Sequence, residues 1–226
     1  MRKILVLSCA LGLATFFNLP AQAGLINGSF EDPDIGNGNI QYLPSIPGWK
    51  TTDSRFELWS DDAWGLGFKA YEGNQWAELN YVIAGTLYQD VSGIAAGSRV
   101  GFQFAHRARP GGSEYRVDKM SFALTDLGAN GEFGDSDDTQ LFYKEYSDST
   151  LAWGFYTAAT EVPIYALGHT VRFAYTAIDS YAPSFGNFLD AADFGVGVGL
   201  PAPDGAATLI LLGTALAGLV AARRRV

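Results

Sequence analysis

Arg99-Val100-Gly101-Phe102-Gln103-Phe104-Ala105-His106 is the stretch that decides the fold class. Side chains of a strand alternate between its two sides, so Val100, Phe102, Phe104 and His106 share one face and Arg99, Gln103 and Arg107 the other. Met120, Phe122 and Leu124 alternate in the same way, as do Val171, Phe173 and Tyr175. Further strands are expected at 86–91, 140–146, 153–158 and 190–197. Turns fall at Ser92-Gly93, Pro110-Gly111-Gly112 and Ala129-Asn130-Gly131. Helical periodicity is almost absent between Gly24 and Gly199, and no internal repeat occurs. Antiparallel strands at this spacing predict an all-β, two-sheet antiparallel β-sandwich of the jelly-roll kind. One face of each strand packs, and the other is solvated or binds.

Two segments stand outside that domain. Arg2-Lys3, the apolar Ile4 to Phe17 and the site Ala21-Gln22-Ala23 read as a signal peptide over residues 1–23, a signal helix cleaved before Gly24. Cys9 loosely fits a lipobox, but it sits too early to leave a hydrophobic region before it. Residues 201–226 hold Pro203-Asp204-Gly205, an apolar run from Ala207 to Ala222, and Arg223-Arg224-Arg225. The run is near the lower limit for a helix crossing a hydrocarbon core of ~30 Å, so a transmembrane helix is expected at about 207–222. The arginines stay cytoplasmic and the domain lies outside. An ordinary membrane anchor would show the same run and basic end. The order of the three parts resembles exosortase-recognised C-terminal signals, most nearly the VPDSG-type variant of the PEP-CTERM class. Ala202 and Ala206 depart from that pattern. The resemblance implies a sorting enzyme of the exosortase type as partner, and a membrane-anchored stage before release to the cell surface or extracellular matrix.

Residues 24–200 remain, enough for one domain with a substantial core. Without Arg2, Lys3, Asp204 and Arg223 to Arg225 they carry 10 basic and 23 acidic residues, a charge near −13. That balance argues against nucleic acid, which needs a basic footprint, and against anionic lipid surfaces. It suits solubility and cation binding. The chain's one cysteine is Cys9, so the mature domain is expected to have no disulfide and to rely on its core, as exported domains of this kind often also do on metal ions.

Three groups of segments carry a second resemblance. The first is Leu25-Ile26-Asn27-Gly28-Ser29-Phe30-Glu31. The second runs through Ile46-Pro47-Gly48-Trp49, Phe56-Glu57-Leu58-Trp59, Glu72-Gly73-Asn74-Gln75-Trp76-Ala77-Glu78-Leu79-Asn80 and Leu87-Tyr88-Gln89-Asp90-Val91. The third is Gly186-Asn187-Phe188-Leu189-Asp190. In this order they resemble the galactose-binding-like jelly rolls, a superfamily of carbohydrate-binding modules and related exported domains. The resemblance implies glycan binding without catalysis, and a structural calcium held by Glu31 and Asp190. The residues support the metal independently. Asp190 has the parity of Ala192, Phe194 and Val196, which points it to the apolar face, where an unpaired carboxylate is costly. Asp193 lies on the other face. The acidic stretch 126–138 lacks the order of a calcium loop and reads as solvated.

A glycan site needs ring faces and planar polar groups. Trp64, in the acidic loop Asp61-Asp62-Ala63-Trp64-Gly65, has little structural reason to be there and is the leading stacking candidate. Tyr71 is balanced between binding and structure. Arg107 and Arg109 offer bidentate donors, or else are isolated charges on an acidic surface. Trp49, Trp59 and Trp76 read as core, and His106 as a satisfied near-core histidine. Catalysis has little support: no G-x-S-x-G elbow, no nucleophilic cysteine and no phosphate loop occur. Glu72 and Glu78 read as structural. The chain is therefore expected not to be an enzyme. Three functions stay open: a surface or matrix module binding glycan or exopolysaccharide, a structural or protein-adhesive domain without a glycan pocket, and a glycan-active enzyme with two carboxylates across a cleft.

Overall fold

The computed structural model describes residues 24–111 and 115–196. Among the described residues twelve strands form in chain order: β1 (Ile40–Leu43), β2 (Lys50–Thr51), β3 (Phe56–Ser60), β4 (Gln75–Glu78), β5 (Thr86–Val91) and β6 (Arg99–Arg107). They continue with β7 (Val117–Asp126), β8 (Thr139–Ser149), β9 (Gly154–Thr157), β10 (Ile164–Tyr165), β11 (Val171–Asp179) and β12 (Phe188–Val196). One sheet runs β1-β3-β4-β12-β6-β10, with β9 also on β6; the other runs β2-β5-β11-β7-β8. Neighbours are antiparallel. The expected sandwich is present.

The core lies between the sheets. Phe102 and Phe104 of β6 meet Phe122 of β7 at ring distances of 4.5 and 5.3 Å, and Tyr175 of β11 closes on Phe104 at 5.4 Å. Alternation produced this contact, because the apolar parity of each strand faces inward. β3 and β4 were not anticipated as strands. Every residue of both is buried, so no polar face marks their period.

β12 departs from simple alternation. Asp190 pairs with Ala105 but Asp193 pairs with Gln103, three residues against two. The extra residue sits in a bulge where Ala191 has a φ of 49°. The bulge reverses the parity, so Leu189, Ala192 and Phe194 join the sandwich core. Asp190 instead shares the outward face of Phe188, its neighbour two positions earlier. The sequence reading, which placed Asp190 with Ala192 and Phe194, is corrected here. The N-terminal segment crosses the same bulge: Ala192 N–H donates to Gly28 O at 2.9 Å. A Cβ on Gly28 would collide with the Ala192 carbonyl, so only glycine permits that approach.

The signal peptide, the tail motif Pro203-Asp204-Gly205 and the helix expected at 207–222 lie outside the described residues. Among the described residues no helix is long and apolar enough to cross a membrane.

Candidate functional site

The outward face of the seven-stranded sheet carries a second aromatic cluster. Register places Trp59 opposite Trp76, Glu57 opposite Glu78, Glu78 opposite Phe188, and Phe188 opposite Arg107. Trp59, Trp76 and Phe188 are fully buried, with ring centroids 5.3 to 6.5 Å apart. They pack against Phe68, Leu66 and Trp153 rather than against the sandwich core. Trp59 and Trp76 are therefore buried as expected, but on the other side of the sheet.

Trp64 stands at the edge of this cluster in a single 3-10 turn, Ala63–Gly65. It is 68% exposed, with a left-handed φ of 51°. Asp61 and Asp62 keep the loop polar and hold Lys69 at 3.4 and 2.9 Å, which leaves the indole outside. Its ring rests edge-on against Trp59 at 5.1 Å, with the Arg109 guanidinium 5.3 Å from its centroid. Tyr71 is half-exposed and stacks in parallel on Phe155 at 5.0 Å, which makes a second open ring face. Phe155 gave no signal in the sequence, because its position beside Tyr71 depends on β9 pairing with β6.

The two arginines are not surface donors. Arg109 is 6% exposed, and its Nη1 donates to both oxygens of Glu78 at 3.0 and 3.1 Å. The same guanidinium lies 4.0 Å from the Phe185 ring and 4.5 Å from that of Trp59. Arg107 is 7% exposed, lies 3.8 Å over Phe68, and donates through Nη2 to Thr150 O. Sequence alternation put Arg107 on the correct face, but loops distant in sequence cover that face.

Beneath Arg109 lies an acidic pair. The Glu57 and Glu78 carboxyls meet in a hydrogen bond, and Trp59 Nε1 donates to Glu57 at 3.0 Å. Burial raises the Glu57 carboxyl to about 7 against the pull of Arg109. Burial and the Glu57 charge raise Glu78 well above the usual carboxylate range. Burial thus biases both carboxyls toward their protonated forms, with the Arg109 cation beside them.

Glu31 and Asp190 hold the same short loop from two sides. Glu31 Oε1 accepts the N–H groups of Asn74 and Gln75, each at 2.8 Å. Asp190 Oδ2 accepts those of Tyr71 and Glu72 at 2.8 and 3.0 Å, and its Oδ1 accepts Ala191 N–H at 2.6 Å. Gly73 sits between them with φ 69°, where a Cβ would strike the Glu31 carboxylate. Burial pushes Asp190 up to about 8 even though three amides favour its ionised form. Backbone amides of the chain thus satisfy both carboxylates, and a metal ion at this pair would have to take the place of some of those bonds. Among the described residues no three acidic, histidine or cysteine side chains converge on a metal. Calcium at this pair would therefore take its other oxygens from backbone carbonyls and water.

Other titratable groups have structural partners. His106 is fully buried, with its ring nitrogens 2.7 Å from Asp148 and 2.9 Å from Asn187. In the 126–138 segment the carboxylates mostly accept amides of their own loop, as in Gly128 N–H to Asp126 and Gly134 N–H to Asp138.

The comparisons with known proteins bear on two regions. Residues 203–226 match the VPDSG-CTERM motif. This tail is a sorting signal, which points to export, surface association and a sorting enzyme as partner. Among curated proteins none matches the chain in sequence. A solved cyclase from Fischerella sp. TAU superposes on 78% of this chain and 98% of its own at a TM-score of 0.53 and 16% identity. TmCBM61, solved in complex with β-1,4-galactotriose, covers 77% of this chain and 99% of its own at a TM-score of 0.46 and 12% identity. The C-terminal family 22 carbohydrate-binding module of Clostridium thermocellum Xyn10B covers 74% and 98% at 0.44 and 14%. At such identities the shared feature is the sandwich. Chemistry has to be argued from this chain's own residues.

Proposed function

We propose that residues 24–200 form an exported, non-catalytic module that binds an extracellular glycan or exopolysaccharide, delivered to the surface by the VPDSG-CTERM tail and an exosortase-type enzyme. One observation carries the reading. Trp64 is an exposed indole held in a left-handed turn, a conformation costing on the order of 1–2 kcal/mol for a residue with a Cβ. Such strain at an exposed ring is most economically explained by function. The half-exposed Tyr71–Phe155 stack supplies another ring face for sugar C–H groups. Glu57 and Glu78 touch each other beneath Arg109 instead of facing across a cleft, which speaks against a glycosidase.

Calcium belongs to the same proposal. Bound by Glu31 and Asp190, it would lock the Tyr71–Gln75 loop and so set the Tyr71 ring. An array of immobilised neutral and uronate-containing polysaccharides, probed with the processed protein with and without calcium, tests the reading. Binding that is lost in Trp64→Ala supports it. Absence of binding to every polysaccharide leaves the structural surface-domain alternative in its place.

A further inference from the structure

The aromatic floor of Trp59, Trp76 and Phe188 lies under one loop, residues 61–70. Its base is closed on itself: Asp61 Oδ1 accepts Ala70 N–H at 2.8 Å, and Asp61 N–H donates to Asn74 O at 2.8 Å. Such a closed base with a separate tip is the form of an Ω-loop. At the tip, Gly65 and Gly67 have φ values of 63° and 74°, and a Cβ on either would meet nothing. Phe68 reaches down beside Leu66 and Ala70, 5.3 Å from the Trp76 ring and 3.8 Å from the Arg107 guanidinium. A latch comes from outside the loop, where Trp153 Nε1 donates to Lys69 O at 2.9 Å.

Two donors beneath Phe68 have no acceptor. Trp76 Nε1 and Arg107 Nε are both buried and both lack a hydrogen-bond partner. A buried donor left unmade costs about 1–3 kcal/mol, so two under one side chain need a reason. Phe68 offers them only carbon.

We propose that the 61–70 loop is a lid over a second part of the glycan site. With its tip lifted, Trp59, Trp76 and Phe188 present ring faces, and Trp76 Nε1 and Arg107 Nε donate to sugar oxygens. The inference rests on the glycan reading and extends it from exposed rings to a covered groove. The closed form dominates without ligand, because opening wets three large rings. A sugar chain that fills the two donors shifts the population, and measured affinity is reduced by the fraction of closed molecules.

Trp76→Phe keeps an aromatic ring and removes the unpaired N–H together with part of the indole. Its melting temperature should stay within a few degrees of the parent, while affinity for the polysaccharide found on the array should fall about tenfold. Phe68→Ala removes the weight holding the tip down. It should tighten binding several-fold and raise acrylamide quenching of tryptophan fluorescence before any sugar is added. Unchanged affinity in Trp76→Phe, with Trp64→Ala still defective, overturns the lid and leaves the exposed platform as the whole site. Failure of the parent protein to bind any polysaccharide overturns the glycan reading and the groove with it.

Discussion

Glu57 and Glu78 are cross-strand partners on β3 and β4, their carboxyls joined by a hydrogen bond in a site closed to solvent. Like charges directly opposite one another destabilise a sheet, and burial raises both carboxyls above the usual carboxylate range. The pair therefore favours a bound proton. Arg109 is the cation facing it, and Asp53 adds a further negative field at Glu57.

The sign of the pH effect follows. Glu57 ionises near 4.5 when unfolded and about 7 when folded, so the folded state holds the extra proton. Its contribution to stability is complete below pH 4.5 and is lost as pH rises through about 7. Glu57→Gln imitates the protonated pair at every pH. At pH 8 it should be more stable than the parent by roughly 1–3 kcal/mol, and near pH 4 no more stable. Denaturant melts at the two pH values decide this. Equal stability at pH 8 would remove the shared proton.

Calcium at Glu31 and Asp190 binds the folded state and adds about 2.7 kcal/mol at a hundredfold excess over Kd. For a domain of this size that is roughly 5–10 °C in melting temperature. Without metal, the raised Asp190 carboxyl loses stability as pH climbs from 4 towards 8, and calcium should flatten that slope. Chelator should lower the melting temperature, and Asp190→Ala should abolish the response. A melting curve indifferent to chelator would falsify the site.

Trp64→Ala should cost no more than about 1 kcal/mol of stability, the worth of one edge contact with Trp59. Trp76→Ala, from the covered floor, should cost roughly 3–5 kcal/mol. Trp64→Gly should be at least as stable as Trp64→Ala, since glycine accepts the left-handed turn without strain. Calorimetry on the three variants separates these outcomes. A loss in Trp64→Ala as large as in Trp76→Ala would mean the indole is structural.

Processing gives a prediction independent of the sandwich. The mature protein should begin at Gly24 and end at or near Pro203-Asp204, with residues 207–226 removed. Deleting Arg223 to Arg225 should weaken membrane retention before processing. Intact mass of the native surface protein is the measurement, and retention of 207–226 would argue for a plain anchor.

Much of the fold was legible because one face of most strands is polar. Arg99 to His106 reads as a strand from alternation alone, and it is one. Phe56 to Ser60 does not, because Glu57 and Trp59 are buried on the outward face while Phe56 and Leu58 are buried on the inner one. Asp190 was placed on the wrong face because a bulge at Ala191 leaves no mark in composition. Trp64 was legible as an outside ring from its polar, acidic loop, although of the two aspartates only Asp62 is exposed and Asp61 is buried against Ala70 N–H. The coverage of Arg107 by Phe68 and of Arg109 by Phe185 was not legible, since those contacts join segments 39 and 76 residues apart.

β12, the last strand among the described residues, enters the sheet between β4 and β6 and so becomes a central one. Phe188 must find Glu78 across more than a hundred residues, the kind of pairing that forms slowly. A chain halted before Phe188 leaves β4 and β6 with bare edges that invite aggregation. Completion of this sheet therefore waits until β12 has been made. Only residues 197–202 then separate the closing strand from Pro203, no more than about 25 Å of extended chain. An enzyme acting at Pro203 would therefore have to work within that reach of the strand that closes the domain.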